Sequence, residues 1–430
     1  MYTINPLMQL PRINKIEKKG IYSVCCSNEF VIRAAMRDAI ENGYVIVVES
    51  TANQVNQFGG YTGMTPSDYV AFVEHLAQEE GLERNHLILG GDHLGPLNWT
   101  NLNETDAMKK ASDLVASYVK AGYSKIHIDT SMKLANDPDG PLSIDVSARR
   151  GAELASVVDV SFKEYQLNHP ESPYPVLVVG SEVPIPGGSQ EFEDKLHPTS
   201  PLDLKKQINA FRKSFNEKKL DFSHVIGFVV QPGVEFGDSF VFQYNALAAK
   251  ELMASLSDES SLVFEGHSTD YQTLRSLSLM VRDGIGILKV GPELTFRLRE
   301  ALLNLDLIAK DLGMNDGEDF KEAVLACMQE NPEYWVKYYK GTDWEIQYKK
   351  LFSYSDRIRY YLPMKKVSDA IERTIKLVGM IPEGILSQYF PIQYNRYMEG
   401  KIKADAQNII IDYIRHSCHK YAIACGEAKV

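Results

Sequence analysis

Leu87-Ile88-Leu89-Gly90-Gly91-Asp92-His93-Leu94-Gly95-Pro96 sets an acid and an imidazole side by side where a short apolar run gives out. A parallel barrel keeps its chemistry at such positions, on the loops that follow the carboxyl ends of its strands. Two glycines before the pair and Gly95-Pro96 after it permit close backbone approach, which a purely structural strand end seldom needs. With this run at 86–92, seven similar ones lie at residues 21–26, 44–49, 125–129, 175–182, 224–231, 261–265 and 284–290. Each is rich in Val, Ile and Leu, as strands buried on both faces are. Most end on a carboxylate, an amide or a second histidine. Between them lie segments of helical periodicity such as 30–41, 66–78 and 105–120. An open doubly wound sheet would show the same alternation, but a count of eight predicts a closed (β/α)8 TIM barrel.

Beyond residue 293 the strand signal stops. The stretches 294–312, 321–328 and 367–378 read as helices, and Tyr334, Trp335, Tyr338 and Tyr339 form an aromatic group suited to packing on the barrel or on a neighbouring chain. The expected organisation is a barrel over residues 1–292 that carries the site, with a mainly helical region over 293–430 packed on it. With 57 acidic and 46 basic side chains and a formal net charge of -11, the chain has no basic surface to follow a nucleic acid backbone or an anionic membrane. Small molecules or proteins are the expected partners, a second copy of the chain among them. No uncharged apolar run approaches the roughly 18 residues needed to span a bilayer, and residues 1–19 lack the apolar stretch of a secretion signal. A cytoplasmic location is expected. The five cysteines, Cys25, Cys26, Cys327, Cys418 and Cys425, are odd in number and suit no ordinary disulfide or zinc-ribbon spacing, so they read as reduced thiols.

A barrel turns sequence position into spatial position. Its mouth would hold Glu49, Asp92, His93, Asp129, Glu182, Gln231, Glu235, Glu265 and His267. So many carboxylates with only two imidazoles are costly to bury uncompensated, and a divalent cation is the economical explanation. Two histidines and a carboxylate suit a catalytic zinc, whereas a mostly carboxylate shell would suit manganese or magnesium. Glu49, Asp129 and Glu265 have an alternative use as helix caps or as partners of buried lysines. His127, inside strand four, reads as a packed barrel histidine and is left out of the ligand set. Lys289 raises a rival chemistry, a Schiff base with a ketose, which its place inside a strand disfavours.

Asp92-His93 after strand three, Glu182-Val183-Pro184-Ile185-Pro186-Gly187-Gly188 after strand five and Glu265-Gly266-His267-Ser268-Thr269 after strand seven resemble the metal-site loops of class II, zinc-dependent ketose-bisphosphate aldolases. Six stretches narrow the resemblance to the Z-subunit family of tagatose-1,6-bisphosphate aldolase. They are Asn53-Gln54-Val55-Asn56-Gln57-Phe58-Gly59-Gly60-Tyr61-Thr62-Gly63-Met64, the Gly90 to Pro96 run, Val230-Gln231-Pro232-Gly233-Val234-Glu235-Phe236, His267-Ser268-Thr269-Asp270-Tyr271-Gln272-Thr273, Leu288-Lys289-Val290-Gly291-Pro292 and Ser355-Asp356-Arg357-Ile358-Arg359-Tyr360-Tyr361. They run through nearly the whole chain.

The resemblance implies either a non-catalytic Z chain that activates and stabilises a catalytic Y subunit, or a stand-alone C4 epimerase of ketoses or ketose 6-phosphates of the fructose and tagatose type. The family has also been labelled a tagatose-6-phosphate kinase. The sequence holds no Gly-x-x-x-x-Gly-Lys-Ser/Thr loop to support nucleotide chemistry. For the epimerase, His93, His267 and Glu235 are the expected metal ligands, with Glu182 as the alternative carboxylate and second catalytic acid. Asp92 is the expected proton carrier, because adjacent residues of a strand point to opposite faces and His93 is the better ligand. Glu49, Asn53, Gln54, Asp129, Gln231, Glu265, Ser268, Asp270 and Arg357 are the expected substrate contacts. Arg357 and Arg359 suit a terminal phosphate or the acidic surface equally. The chain departs from the aldolase pattern in four places, one of them Gly291-Pro292-Glu293 where an Asn-x-Asp type segment is usual after strand eight. It offers two candidate histidines at strand ends where three are usual, Ser189-Gln190 follows Gly187-Gly188 where an acid is usual, and Gly266-His267-Ser268-Thr269 replaces a Gly-Gly-Ser-Gly cradle. The last argues against a second phosphate site.

Overall fold

Each of the eight apolar runs forms a strand, and in the computed structural model, which describes residues 4–180, 196–314 and 317–429, all eight lie parallel in one closed sheet. We number them β1 (Ile21–Cys25), β2 (Ile46–Thr51), β3 (Leu87–Leu94), β4 (Lys125–Ile128), β5 (Val176–Val179), β6 (Val225–Val230), β7 (Val263–Gly266) and β8 (Ile285–Val290). Neighbours in sequence are neighbours in the sheet, and β8 closes on β1 with Ile21 opposite Ile287 and Val24 opposite Val290. This is the TIM barrel. A two-residue ribbon, Glu235–Phe236 against Val241–Phe242, interrupts the alternation after β6.

The inside of the barrel is layered. At the amino ends of the strands Ile21, Val47, Ile88, Val176, Ile226, Val263 and Ile287 form an apolar floor, sealed by Leu7 and Leu10 from the chain before β1. Each such side chain contributes about 1.5–3 kcal/mol by burial. The short helix Leu10–Glu17 is held there by Asn14, whose amide donates to the carbonyls of Lys19 and Val281. Above the floor the side chains become charged, which is where the site begins. The glycines of β3 are steric requirements. A Cβ on Gly90 would lie 2.6 Å from Cγ of Glu49, and one on Gly95 would lie 1.7 Å from the carbonyl oxygen of Asp129.

After β8 the chain is helical: Pro292–Asp311, Phe320–Glu330, Asp343–Phe352, Lys365–Val378, Glu383–Tyr389, Pro391–Met398 and Ala406–Cys425. The last of these packs on the helix Glu29–Asn42, on Leu274–Asp283, on Pro292–Asp311 and on β1 itself. Buried side chains from before and after residue 292 form one continuous outer core. The guanidinium of Arg415 ties the final helix to the first half by donating to the buried Asp38 carboxylate at 2.6 Å. The aromatic group packs within its own chain. Tyr334 stacks on Tyr360 at 5.2 Å, Tyr338 lies under Arg357, and the Tyr339 hydroxyl donates to the carbonyl of Ser355. These contacts hold residues 355–361 against the barrel mouth. All five cysteines are free thiols. Among the described residues no helix is long and apolar enough to cross a membrane.

Candidate active site

In a regular strand Asp92 and His93 would point to opposite faces. They do not, because β3 bulges there: its pairing with β4 shifts register between Gly91 and Leu94, and His93 takes a left-handed backbone with φ 50. Both side chains therefore line the mouth cavity. His127 projects inward from β4 and His267 follows directly on β7. One ligand atom from each of Asp92, His93, His127 and His267 lies within 4.8 Å of the others. The three imidazole rings sit 4.9 to 5.2 Å apart.

Each imidazole spends one nitrogen on an outer acceptor. Nδ1 of His93 is 2.9 Å from Asp129, Nε2 of His127 is 3.0 Å from the Gly180 carbonyl, and Nε2 of His267 is 2.9 Å from Glu265. A carbonyl can only accept, so His127 carries its proton on Nε2 and presents a bare Nδ1, which also accepts from the His93 amide at 3.2 Å. The same logic gives His267 a bare Nδ1 and, in its neutral form, His93 a bare Nε2, although Asp92 and Asp129 outweigh burial and raise the His93 pKa. Burial brings the pKa of His267 down to about 4, which keeps it neutral. Carboxylate and carbonyl partners of this kind aim metal-bound histidines. The bare Nδ1 of His127 stands 2.8 Å from Oδ1 of Asp92. Two acceptors that close call for a cation between or beside them.

Charge balance points the same way. Beneath the imidazoles, Lys125 bridges Glu49 and Glu265 at 2.6 and 2.7 Å, while Lys289 reaches Glu49 and lies 2.7 Å from Asp92. Lys125, Glu49 and Glu265 are fully buried. With Asp129, four carboxylates face two ammonium groups among the described residues, and the surplus equals the charge of one divalent cation. Burial alone would lower the pKa of Lys289, but Asp92, Cys25, Glu49 and Glu265 hold it well above the usual lysine range. Imine chemistry needs the neutral amine, so the Schiff-base reading loses its support.

Several expected contacts sit elsewhere. Glu49 and Glu265 are consumed by the lysines, and Asp129 orients His93, so these three support the site from behind and do not line its cavity. Gln231 turns its side-chain oxygen onto the amides of Gly233 and Val234. Asn53, Gln54, Ser268 and Asp270 do line the cavity. Glu235 is not in the ligand cluster. It sits on the short ribbon, where its carboxylate accepts from the amide of Phe236 at 2.9 Å, and His127 takes the place the sequence reading gave it. Arg357 is buried, donating to the Tyr334 carbonyl and stacked on Tyr338, so its neighbour Arg359 is the guanidinium that reaches the cavity. Glu182, the adjoining Val183 to Gly188 motif and Ser189-Gln190 lie outside the described residues.

Burial raises the pKa of Glu235 from 4.5 to about 7. A carboxyl whose folded pKa lies above its unfolded one contributes stability that is complete below the unfolded value and is lost as pH rises through the folded one. Glu235→Gln is therefore expected to flatten the fall in stability between about pH 4.5 and 7, by at most about 3 kcal/mol. Thermal melts of both proteins across that range check it; parallel curves contradict it.

Comparison with known proteins agrees with the fold. The chain is 41% identical over 414 residues, 95% of its own length and 96% of the relative's, to the D-tagatose-1,6-bisphosphate aldolase subunit GatZ of Salmonella heidelberg (strain SL476). It superposes with a TM-score of 0.86 and 39% identity on the crystal structure of a probable tagatose 6 phosphate kinase from Sinorhizobium meliloti 1021, covering 95% of this chain and 100% of that one. Residues 7–426 match a family described as D-tagatose-1,6-bisphosphate aldolase subunit GatZ/KbaZ-like, and the chain belongs to that family.

Proposed function

We propose that this protein is a cytoplasmic, metal-dependent ketose or ketose-phosphate 4-epimerase of the fructose and tagatose type, working by cleavage and re-formation of the C3–C4 bond. The observation that carries the reading is the convergence of three imidazoles and one carboxylate, with ligand atoms within 4.8 Å of one another at the edge of a cavity that Asp92, His93 and His267 line, over a charged layer short of two positive charges. His93, His127 and His267, with Asp92 beside them, would hold a divalent ion, and three imidazoles favour zinc over manganese or magnesium. Bound there, the ion supplies Lewis acidity to the C2 carbonyl and the C3 oxygen of a ketose.

The chain's own groups do the rest. Lys289 holds Oδ1 of Asp92, which leaves Oδ2, 3.9 Å from Nε2 of His93, to take the proton of the C4 hydroxyl as the C3–C4 bond breaks. The aldehyde fragment turns its other face, the bond re-forms, and Asp92 returns the proton to the C4 oxygen. Asn53, Gln54 and Ser268 surround this space and keep the fragment from escaping. C4 keeps its own hydrogen throughout. Product formed in deuterium oxide should therefore carry little label at C4, and Asp92→Asn should keep its fold while turnover falls about 100-fold or more. Heavy labelling at C4 refutes the bond-cleaving route.

A second reading rests on the word subunit in the name of the Salmonella relative: the chain would stabilise a separate catalytic aldolase of the Y type. Purified protein incubated alone with fructose 6-phosphate, tagatose 6-phosphate and the free sugars, with and without zinc, separates the two. No turnover of any of them, together with rescue of a Y-type aldolase, establishes the partner role.

A further inference from the structure

Beside the imidazole cluster the cavity continues into a second chamber, and the two share Cys25, Gln54, Tyr61, Gly291 and Arg359. At their junction stands one guanidinium. Among the described residues, Lys289 and Arg359 are the only lysine or arginine side chains that line either chamber, and Lys289 is taken by Glu49 and Asp92. Arg359 is engaged differently. Its Nη2 donates to the Tyr360 phenol at 3.3 Å and its central carbon lies 5.0 Å from the centre of that ring, while Asp356 and Asp270 act on it only from beyond ion-pairing distance. The Tyr360 ring is itself fixed, stacked on Tyr334 at 5.2 Å and packed on Tyr61 at 4.9 Å. The guanidinium is thus pre-placed by an aromatic frame and still holds its charge for an incoming anion.

The far wall of the second chamber suits an anion as well. Ser27 and Asn28 open the 14-residue helix Glu29–Asn42 there, and the one acid on that wall, Glu29, is turned aside onto Arg33 at 2.8 Å. The amides of Asn28 and Phe30 are already taken by Cys26 Sγ and the Asn28 side chain, so the positive end of the helix adds to the field while Arg359 is the group that would hold a phosphate directly. Gln54 and Tyr61 bridge the two chambers, so one molecule can reach from the imidazoles to Arg359.

We propose that the second chamber holds the terminal phosphate of the substrate with Arg359 as its charged ligand, which makes the substrate a ketose carrying a single phosphate at the end remote from the carbonyl. This rests on the reading of the imidazole cluster as a ketose site and deepens it. Among the described residues one unspent cation matches one phosphate, and a bisphosphate finds no second.

Calorimetric titration of the metal-loaded full chain with fructose 6-phosphate, fructose 1,6-bisphosphate, fructose and inorganic phosphate tests it. The monophosphate is expected to bind roughly 30-fold or more tightly than the free sugar, the loss expected for charge-assisted hydrogen bonds, and the second phosphate is expected to add nothing. Arg359→Gln should bring the ratio close to one, and Arg359→Lys should restore part of it. If the glutamine variant melts early, competition in the unaltered protein decides: inorganic phosphate must displace fructose 6-phosphate and leave fructose binding unaffected. Equal binding of sugar and sugar phosphate, or a preference that survives Arg359→Gln, overturns the proposal. Phosphate-dependent binding without epimerisation overturns the proposed reaction and leaves this site standing, whereas free fructose turned over as readily as its phosphate does the reverse.

Discussion

His127→Ala should strip the protein of its divalent ion and of its turnover together. The imidazole is one of three that present a bare nitrogen to the same point, and that nitrogen stands 2.8 Å from Oδ1 of Asp92. Its removal takes away a ligand and leaves the Gly180 carbonyl without its donor. Outer partners alone are worth about 10–100-fold in metal affinity, so loss of a direct ligand should exceed that. Elemental analysis after dialysis is expected to find about one ion per chain in the unaltered protein and almost none in this variant or in the His93→Ala, His267→Ala double variant. Glu235→Gln is the contrast, since its carboxylate stands outside the cluster and the ion should stay. Metal retained by His127→Ala and lost by Glu235→Gln would reverse the ligand assignment.

Lys125→Met is expected to cost more stability than any surface change. The lysine is fully buried between Glu49 and Glu265, and removal of one partner from a buried ionic group leaves uncompensated charge, at a cost of about 3–5 kcal/mol. Thermal melting should drop by several degrees or more, because each kcal/mol moves the midpoint by roughly 2 °C or less in a chain of this size. Adding Glu265→Gln to the variant should restore part of the loss, since the two sites share one interaction. An unshifted melting curve for Lys125→Met contradicts the account of the charged layer.

The barrel was legible because its signal is repeated eight times and each strand is buried on both faces. Errors at strand ends stayed within two or three residues: the second strand begins at Ile46, not residue 44, and the third continues through His93 to Leu94. The placement of side chains at the mouth was legible where strand-end position alone decides it, as for Asp92, His93 and His267. It was misread where local geometry intervenes. The bulge at 92–93 defeats strict alternation and brings both residues to one cavity. His127 was passed over as packing, yet Lys125-Ile126-His127-Ile128-Asp129 alternates polar and apolar residues, and a lysine two positions before a histidine on a buried strand marks a polar inner face. Arg357 was preferred to Arg359 because spacing could not say which would be trapped under Tyr338. Glu235 was drawn in because a ribbon that sends a strand-end carboxylate back onto its own backbone has no sequence signature.

The placement of residues 355–361 bears on how the protein is born. A nascent chain that has emerged as far as Val290 owns every barrel strand and all three imidazoles, yet the wall that carries Arg359 and Tyr360 is still unsynthesised. At roughly 5–20 residues per second, translation leaves an interval of several seconds between the last barrel strand and the wall of the mouth. Ribosomal products cut short in that interval carry the three imidazoles and lack the wall that faces them.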